Sequence, residues 1–197
     1  MIQEATGVIL AGGRSRRFGS PKALAPWNDK CLVEAVLEIL NPLFPSILAL
    51  VKKPEDYSFL ETPRVKVMSD LFEEVHPLGG IYSALEHAGS EWIFVCGCDM
   101  PFVRPELIQA LWRARSGCQA VVPVWEGKRQ PLCAFYSQAA KNEIGRAIER
   151  KDFAVRAVLD SLPVHFLDED SVRVTDPEGR TFNDIDTQED YERARKL

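Results

Sequence analysis

Short apolar segments alternate with helical patterns from one end of the chain to the other. Apolar or alternating runs of strand length lie at residues 7–10, 47–51, 65–68, 92–96, 120–124, 132–136 and 164–167. Helical segments are predicted between and after them, at residues 32–40, 81–88, 105–116, 138–151, 154–162 and 187–196, and Thr187 with Asp190 resembles a capping box at the start of the last one. Strands separated by helices of this length are typical of an α/β protein with a mostly parallel sheet, which binds ligands at the carboxyl ends of its strands.

No internal repeat, low-complexity tract or evident linker divides the sequence, so we expect residues 1–197 to form a single domain. With 197 residues, of which 46% are hydrophobic, the chain is long enough to bury a sizeable core. No uncharged apolar stretch approaches the roughly 18 residues that a membrane span needs, and the first residues lack the basic and apolar regions of a secretion signal. These features predict a cytoplasmic protein with no segment in a membrane.

The charge of the chain is unevenly distributed. A net charge of −5 excludes general binding of nucleic acid through a basic surface. Arg14, Arg16, Arg17 and Lys22 nevertheless place four positive charges and no negative one within nine residues. Neighbouring cations repel one another and gain from a polyphosphate placed between them. From charge alone, a site for a small anionic ligand and a solvated basic loop are equally good interpretations.

The same basic segment follows the first predicted strand and contains Gly12 and Gly13. Glycines let main-chain N–H groups approach a ligand closely, so glycines and cations together predict a loop that holds phosphates. The segment is not a P-loop, because no Gly-Lys-Ser/Thr follows the glycines, and it lacks the G-x-G-x-x-G of dinucleotide sites. We therefore expect neither a kinase-type nor a dinucleotide-binding site.

Two aspartates come just after predicted strands. Asp70 follows residues 65–68, and Asp99 follows residues 92–96. On a parallel sheet both would lie at the edge from which the basic loop emerges. Mg²⁺ usually takes one or two protein carboxylates and completes its shell with phosphates and water. We predict Asp99 as the metal ligand and Asp70 as a second ligand or a nucleotide contact; the alternative is that each is a turn or helix-cap residue.

Cysteines and histidines offer little catalytic chemistry. The five cysteines are scattered, and the C-x-C pair Cys96 and Cys98 has no second pair to complete a zinc site, so we interpret them as reduced and structural. His87 and His165 are interpreted as structural and His76 as a loop residue. No Ser/His/Asp or Cys/His arrangement indicates a covalent intermediate. A reaction whose nucleophile is an ionised phosphate needs only positioning and charge neutralisation.

Residues 10–24, LAGGRSRRFGSPKAL, resemble the signature L-A-G-G-x-S-x-R-[MF]-G-x-x-K of nucleotidyltransferases. The resemblance is closest to the molybdenum cofactor guanylyltransferases, which are MobA-like nucleotidyltransferases. Residues 77–81, 98–102 and 182–190 agree with that family in order and spacing. The first motif is shared with sugar-phosphate and isoprenoid-precursor nucleotidyltransferases, and the set of four favours the guanylyltransferases.

The resemblance implies a three-layer, Rossmann-like α/β fold, with a nucleotide-binding half at about residues 1–103 and an acceptor-binding half at about residues 104–197. It implies transfer of GMP from MgGTP to the terminal phosphate of molybdopterin, which yields molybdopterin guanine dinucleotide and pyrophosphate. It also implies transient contact with cofactor-insertion and acceptor enzymes. Alternatives that stay open are the same transfer with CTP, transfer to a sugar or alcohol phosphate, and a carrier that binds the nucleotide or cofactor without catalysis.

The resemblance also implies roles for individual residues. The nucleotide would contact Leu10, Ala11, Gly12, Gly13, Lys22, Asp70 and Asp99. Arg17, Lys22 and Asp99 would be catalytic: the two cations would neutralise charge that develops around the α-phosphorus, and Asp99 would hold Mg²⁺. The acceptor side would be shaped by Pro77, Leu78, Gly79, Gly80 and Asp184.

The chain departs from the family pattern at three places. His76 replaces a glycine, and Asp184 and Asp186 stand where asparagine is more common. A carboxylate beside an anionic acceptor is unfavourable unless it is paired or turned away. Around residues 51–53 no clear counterpart exists for the polar residue that the family often uses after its second strand.

Overall fold

The structure is a computed structural model that describes residues 1–12, 21–72, 76–185 and 187–194. Its strands are β1 (Ala5–Leu10), β2 (Pro26–Trp27), β3 (Lys30–Cys31), β4 (Ile47–Val51), β5 (Val65–Ser69), β6 (Trp92–Gly97), β7 (Ala120–Trp125), β8 (Lys128–Arg129), β9 (Cys133–Ser137) and β10 (Val164–Leu167). Its helices are α1 (Leu32–Leu40), α2 (Pro77–His87), α3 (Pro105–Arg113), α4 (Lys141–Glu149), α5 (Val155–Asp160), α6 (Glu169–Thr175) and α7 (Gln188–Ala194). The strands that the apolar runs predict are all present.

The main sheet has the strand order β10-β7-β9-β6-β1-β4-β5, and β8 pairs with β7. On this path only β9 is antiparallel to its neighbours, so the predicted mostly parallel sheet is confirmed. From β1 the chain builds outward through β4 and β5, and then returns to place β6 on the other side of β1. Such a reversal opens a crevice beyond the carboxyl ends of the two central strands, where ligands bind in open α/β sheets.

Helices cover both faces of the sheet, which confirms the three layers. Alternate residues of a strand face opposite sides, so Ile9 enters the core beneath α1, α3 and α6, whereas Val8 enters the core beneath α2, α4 and α5. Phe44 packs against Gly7 on the first side, where a Cβ would lie 2.9 Å from the Phe44 ring. Glycine at this position therefore brings the segment after α1 close to the central strand.

Helix α2 begins at Pro77, four residues before the predicted start. Proline suits the first turn because its missing N–H has no helical partner there, and the His76 ring accepts a hydrogen bond from the Gly79 N–H at 2.8 Å. Gly79 and Gly80 thus lie inside the first turn and are buried. The helical spacing begins only at Ile81, so periodicity alone placed the boundary too late.

Other differences concern short elements. The helix predicted at residues 138–151 is a 3-10 turn, Gln138–Ala140, followed by α4. The β2–β3 hairpin, β8 and α6 were not predicted, because two- to seven-residue elements give too few positions for a period to show. The last helix has the predicted capping pair: Thr187 N donates to Asp190 Oδ2 at 2.9 Å, and Asp190 N donates to Thr187 Oγ1 at 3.1 Å.

A small third cluster joins the two ends of the chain. Ile185 and Tyr191 pack with Ala25, Trp27 and Leu32. The cluster holds the C-terminal segment against the hairpin that follows Lys22. Residues more than 150 positions apart therefore meet beside the carboxyl edge of the sheet.

The cysteines are free thiols, as predicted. Cys96 and Cys98 are buried in the same core cluster, and Cys133 is fully buried opposite Cys96. Among the described residues, no helix is both long and apolar enough to cross a membrane.

Candidate active site

The carboxyl ends of β1 and β6 lie side by side at the reversal of the sheet. Leu10 is in register with Gly97, and Cys98 N donates to the Leu10 carbonyl at 3.1 Å. The chain continues from these ends into Ala11 and Gly12 on one side and into Asp99 on the other. The structure thus brings the first residues of the predicted nucleotide loop and the predicted metal ligand to one edge.

Lys22 and Asp99 form an ion pair across this crevice, although they are 77 positions apart. Lys22 Nζ lies 2.7 Å from Asp99 Oδ2, and the two side chains are only 13% and 28% exposed. Asp99 folds back over Gly97, where any Cβ would collide with its carboxylate. Glycine in Cys-Gly-Cys-Asp is therefore what permits this orientation of the carboxylate.

A second ion pair stands beside the first, at the ends of β4 and β5. Lys52 Nζ lies 3.2 Å from Asp70 Oδ2 and donates to the Phe72 carbonyl at 2.6 Å. Asp70 Oδ1 accepts from Ser83 Oγ at 2.8 Å and from Phe72 N at 3.2 Å. The Asp70 carboxyl is 10% exposed, so these donors compensate for its burial.

Lys52 and Ser83 also belong to this edge, although neither was predicted from the sequence. The stem of Lys52 crosses Gly12, where a Cβ would lie 3.6 Å from Lys52 Cε. Lys52 directly follows β4 just as Asp70 follows β5, and this shared position was the available signal. Lys52 thus provides a polar side chain after the second long strand, where no counterpart to the family's polar residue was identified.

The first turn of α2 packs against the end of β1. A Cβ at Gly80 would lie 3.1 Å from Leu10 Cδ2, so glycine allows this close approach. Leu78 is 1% exposed and belongs to the core, whereas Pro77 is exposed. Of the predicted acceptor residues in this turn, Pro77 is the one whose side chain faces solvent.

The segment that precedes α7 is held mainly through its main chain. Asp176 is fully buried and accepts from Arg180 N at 3.0 Å and from Thr181 N at 2.8 Å. Further along, Ile185 N donates to the Asp99 carbonyl at 3.0 Å. Asp184, the last of the predicted acceptor residues, is exposed. It directly precedes Ile185, whose N–H bonds to Asp99, so the structure places Asp184 near Asp99.

An aromatic contact fixes the same segment to the end of β7. The Trp125 and Phe182 rings stack with centroids 5.8 Å apart, and the Arg173 guanidinium lies 4.6 Å from the Trp125 ring centre. Gly179 has a φ of 62° and lies so close to the indole that no Cβ would fit. Trp125, Asp176 and Gly179 were not found by sequence reasoning, because their roles arise only from packing.

The donor set of the site suits a cation that arrives with phosphates. Within the described ranges no group of three or more His, Cys, Asp or Glu side chains could hold a metal ion. Burial raises the pKa of the Cys98 thiol and the nearby Asp99 raises it further, so Cys98 stays protonated and is a poor metal ligand. A single carboxylate such as that of Asp99 is a suitable ligand for a divalent cation whose other positions are filled by phosphate and water.

Several predicted residues lie outside the described part of the chain. They are Gly13, Arg14, Arg16, Arg17 and Asp186. Leu10, Ala11, Gly12, Lys22, Asp70, Asp99, Pro77, Leu78, Gly79, Gly80 and Asp184 lie within it at the positions given above.

Comparison with known proteins identifies the family. The model of the family described as the MobA-like NTP transferase domain matches residues 7–166. The chain belongs to this family. A relative of this MobA-like chain, named "probable molybdenum cofactor guanylyltransferase" in Methanosarcina mazei, is 36% identical over 197 residues, covering 95% of this chain and 88% of that protein.

Solved structures agree with the family assignment. Molybdopterin-guanine dinucleotide biosynthesis protein A from Archaeoglobus fulgidus superposes with a TM-score of 0.84 at 30% identity, over 97% of each chain. Rv0371c from Mycobacterium tuberculosis, solved in complex with manganese, has a TM-score of 0.71 at 20% identity over 100% of each chain, and shares the fold. The expected Rossmann-like nucleotidyltransferase architecture is thus confirmed.

Proposed function

We propose that this MobA-like chain transfers GMP from MgGTP to the terminal phosphate of molybdopterin, forming molybdopterin guanine dinucleotide and pyrophosphate in the cytoplasm. The observation that carries the proposal is the ion pair of Lys22 with Asp99 at the reversal of the sheet. The pair consists of a cation that can bind phosphate and a carboxylate that can bind a metal ion, and it lies at the strand ends from which Gly12 follows. The relatives' names supply the choice of guanine and of the pterin acceptor.

The chemistry needs no activated protein nucleophile. An oxygen of the acceptor's terminal phosphate attacks the α-phosphorus of GTP, and the bond from that phosphorus to the oxygen bridging to the β-phosphate breaks. Pyrophosphate takes the bond's electron pair and leaves. Because the attacking phosphate is already ionised, the protein has to align the reactants and neutralise their charge.

The nucleotide is proposed to bind at the carboxyl ends of β1, β4 and β5. Leu10, Ala11 and Gly12 would lie against the nucleotide with Gly13 beside its phosphates, and Asp70 would contact the nucleotide. The Asp70 oxygens already accept bonds from Lys52, Ser83 and the main chain, and a metal ion would have to displace these donors, which argues against Asp70 as a second metal ligand. Arg17 is proposed to join Lys22 in neutralising the leaving pyrophosphate.

The ion pair of Lys22 with Asp99 suggests an exchange of partners on substrate binding, in which Lys22 turns to the nucleotide and a cation replaces it at Asp99. While the two side chains neutralise each other, neither is free to hold a ligand. When Lys22 moves to the phosphates of an incoming nucleotide, it uncovers the Asp99 carboxylate for a divalent cation, which we propose is Mg²⁺. When bound, that cation would draw negative charge from the phosphates and so stabilise the transfer. Nucleotide and cation should therefore bind more tightly together than separately.

The acceptor is proposed to enter between the first turn of α2 and the segment before α7. The exposed Pro77 ring would form one wall, and the buried Leu78, Gly79 and Gly80 would position it by holding the first turn of α2 against the end of β1. Asp184 would stand on the opposite side, next to the Ile185 bond to Asp99. We propose that residues 1–103 chiefly bind the nucleotide and residues 104–197 chiefly the acceptor, and that acceptor enzymes and cofactor-insertion proteins contact the chain transiently.

The test is a reaction matrix. Purified protein is incubated with Mg²⁺ and each of GTP, CTP, ATP and UTP, with and without molybdopterin, and both pyrophosphate and dinucleotide are measured. We expect pterin-dependent pyrophosphate release with GTP alone. Stronger reaction with CTP would make the chain a sister transferase, and nucleotide binding without turnover would make it a carrier.

A further inference from the structure

The loop between α4 and α5, residues 150–154, lies at the same edge as the active site. Because β9 runs antiparallel, α4 starts at the opposite, amino edge, where Gln138 N donates to the Glu91 carbonyl at 2.9 Å just before β6. Helix α4 then runs back along the sheet against α2. Its C-terminal end, and the loop that follows, thus reach the carboxyl edge.

The loop is docked on the start of α2. The rings of Phe153 and His76 stack with centroids 4.2 Å apart at an interplanar angle of 26°. His76 is also the residue that caps α2 through Gly79 N. A residue of the second half of the chain therefore touches the side chain that positions the first turn of α2, where the proposed acceptor residues lie.

The backbone of this loop is shaped for glycine but carries a lysine. Asp152 N donates to the Ala147 carbonyl and Lys151 N donates to the Ile148 carbonyl, both at 2.9 Å, which ends α4 with a left-handed residue. That residue is Lys151, with a φ of 59°. Glycine adopts this conformation without the steric cost that a lysine bears. Folding alone would favour glycine here.

Lys151 is exposed and has no ion pair with any residue that the structure describes. The five predicted acceptor residues, in contrast, supply no positive charge: of Pro77, Leu78, Gly79, Gly80 and Asp184, the one charged residue is negative. Lys22 is committed to the nucleotide in the proposed reaction. An acceptor whose reacting group is a phosphate requires positive charge from another element.

We propose that residues 150–154 form an acceptor-binding element in which Lys151 contacts a phosphate of the acceptor. Phe153, docked on His76, is a positioning residue that holds the loop against α2. The inference rests on the proposed function, because the acceptor's terminal phosphate supplies the anionic group. Through these two contacts His76 both caps α2 and holds the loop against it.

The main test is Lys151→Gly, with Lys66→Ala as the matched loss of one exposed positive charge near the amino end of β5. Acceptor binding is followed by the fluorescence of molybdopterin, alongside acceptor KM, kcat, the GTP Kd and the thermal midpoint. We expect Lys151→Gly to raise the acceptor Kd and KM about three- to tenfold. The GTP Kd and kcat should stay within about twofold of wild type, and the thermal midpoint should stay equal or rise, because glycine relieves the left-handed backbone.

Two further variants test the docking contact. His76→Asn keeps a side-chain acceptor for Gly79 N but removes the ring, and Phe153→Leu keeps apolar bulk but removes the stack. Each should raise the acceptor KM about two- to fivefold. The double variant should be no worse than the more affected single variant, because both changes break the same contact.

The outcomes separate this inference from the proposed function. Dinucleotide formation by wild type with an unchanged acceptor Kd for Lys151→Gly would overturn the inference alone. Equal weakening of GTP and acceptor would also overturn it, since the loop would then act on the whole fold. Acceptor binding that needs Lys151, in a wild type that makes no dinucleotide, would support the loop's role and reject the transferase. Failure of wild type to bind molybdopterin would overturn both.

Discussion

The two sides of the active-site edge hold their carboxylates in opposite ways. On the proposed nucleotide side, Asp99 pairs with the side chain of Lys22 and keeps 28% of its own side chain exposed. On the proposed acceptor side, Asp176 is fully buried and accepts from two main-chain N–H groups. A side-chain cation can turn from the carboxylate to a ligand, whereas main-chain donors cannot leave without unfolding the loop. The first arrangement suits exchange of ligands and the second suits a fixed wall.

The cost of burial explains why the two arrangements differ. A buried carboxylate needs all of its lost hydration replaced, and the Arg104 guanidinium at 3.8 Å adds to the two N–H donors of Asp176. Asp99 keeps partial contact with water, so its separation from Lys22 is less costly. This contrast implies that changes at Asp99 affect catalysis and changes at Asp176 affect folding.

The largest effect on catalysis is expected from Asp99→Ala, which tests whether Asp99 acts in the reaction. We expect turnover to fall about a thousandfold or more, because the cation loses its protein ligand and its several kcal/mol of stabilisation. GTP should still bind measurably, through the loop and Lys22. Steady-state turnover and calorimetric GTP binding, with and without Mg²⁺, measure the two effects.

Asp170→Ala, at an exposed position in the first turn of α6, is the matched control and should leave turnover within about twofold. Turnover of Asp99→Ala equal to that of wild type would refute the metal role of Asp99.

Lys22→Met tests whether Lys22 and a divalent cation compete for the Asp99 carboxylate. We expect kcat to fall about a hundredfold, with a smaller loss of GTP affinity, because the charge that Lys22 meets grows during transfer. Without nucleotide, Mn²⁺ should bind the variant about three- to tenfold more tightly than wild type, since Asp99 no longer has a competing cation. Electron paramagnetic resonance of free Mn²⁺ measures this binding.

Lys30→Met provides the control for loss of a lysine in an ion pair away from Asp99. An effect of Lys22→Met on KM alone would make Lys22 an anchor for the substrate. Weaker Mn²⁺ binding than in wild type would contradict the exchange.

The smallest effect on turnover is expected from Asp176→Ala, which should instead lower the stability of the fold. Removal of the carboxylate leaves Arg180 N and Thr181 N without their acceptor, so the free energy of unfolding should fall by about 3 kcal/mol. Denaturant unfolding measures this loss. GTP affinity should stay within about twofold of wild type while the protein is folded.

Asp176→Asn keeps one acceptor oxygen and should lose about half as much stability. Loss of GTP binding in either variant at unchanged stability would show that the two sides of the edge are not separate in function.

Prediction from sequence worked where the signal was local. The apolar runs located β1, β4, β5 and β6, and the position of Asp70 and Asp99 after two of them put both carboxylates at the ligand edge. The Thr187 and Asp190 capping pair was equally visible, since both partners lie within one turn. Prediction failed at Lys52, whose interaction with Asp70 depends on β4 and β5 being neighbours in the sheet. Trp125 and Gly179 are similar cases, because a close contact between an indole and a glycine leaves no periodic pattern in the sequence.

The order of the elements, the parallel character of the sheet and the residue types at its carboxyl edge could all be predicted from the sequence. These follow from hydrophobic periodicity and from the rule that parallel strands end at one side. Which charges pair depends on the folded sheet, because Lys22 and Asp99 are 77 positions apart and meet through the adjacency of β1 and β6. Folding likewise determines which carboxylate pairs with a side chain, Asp99, and which is held by main-chain donors, Asp176. That distinction depends on burial and on main-chain donors, which exist only once the chain has folded.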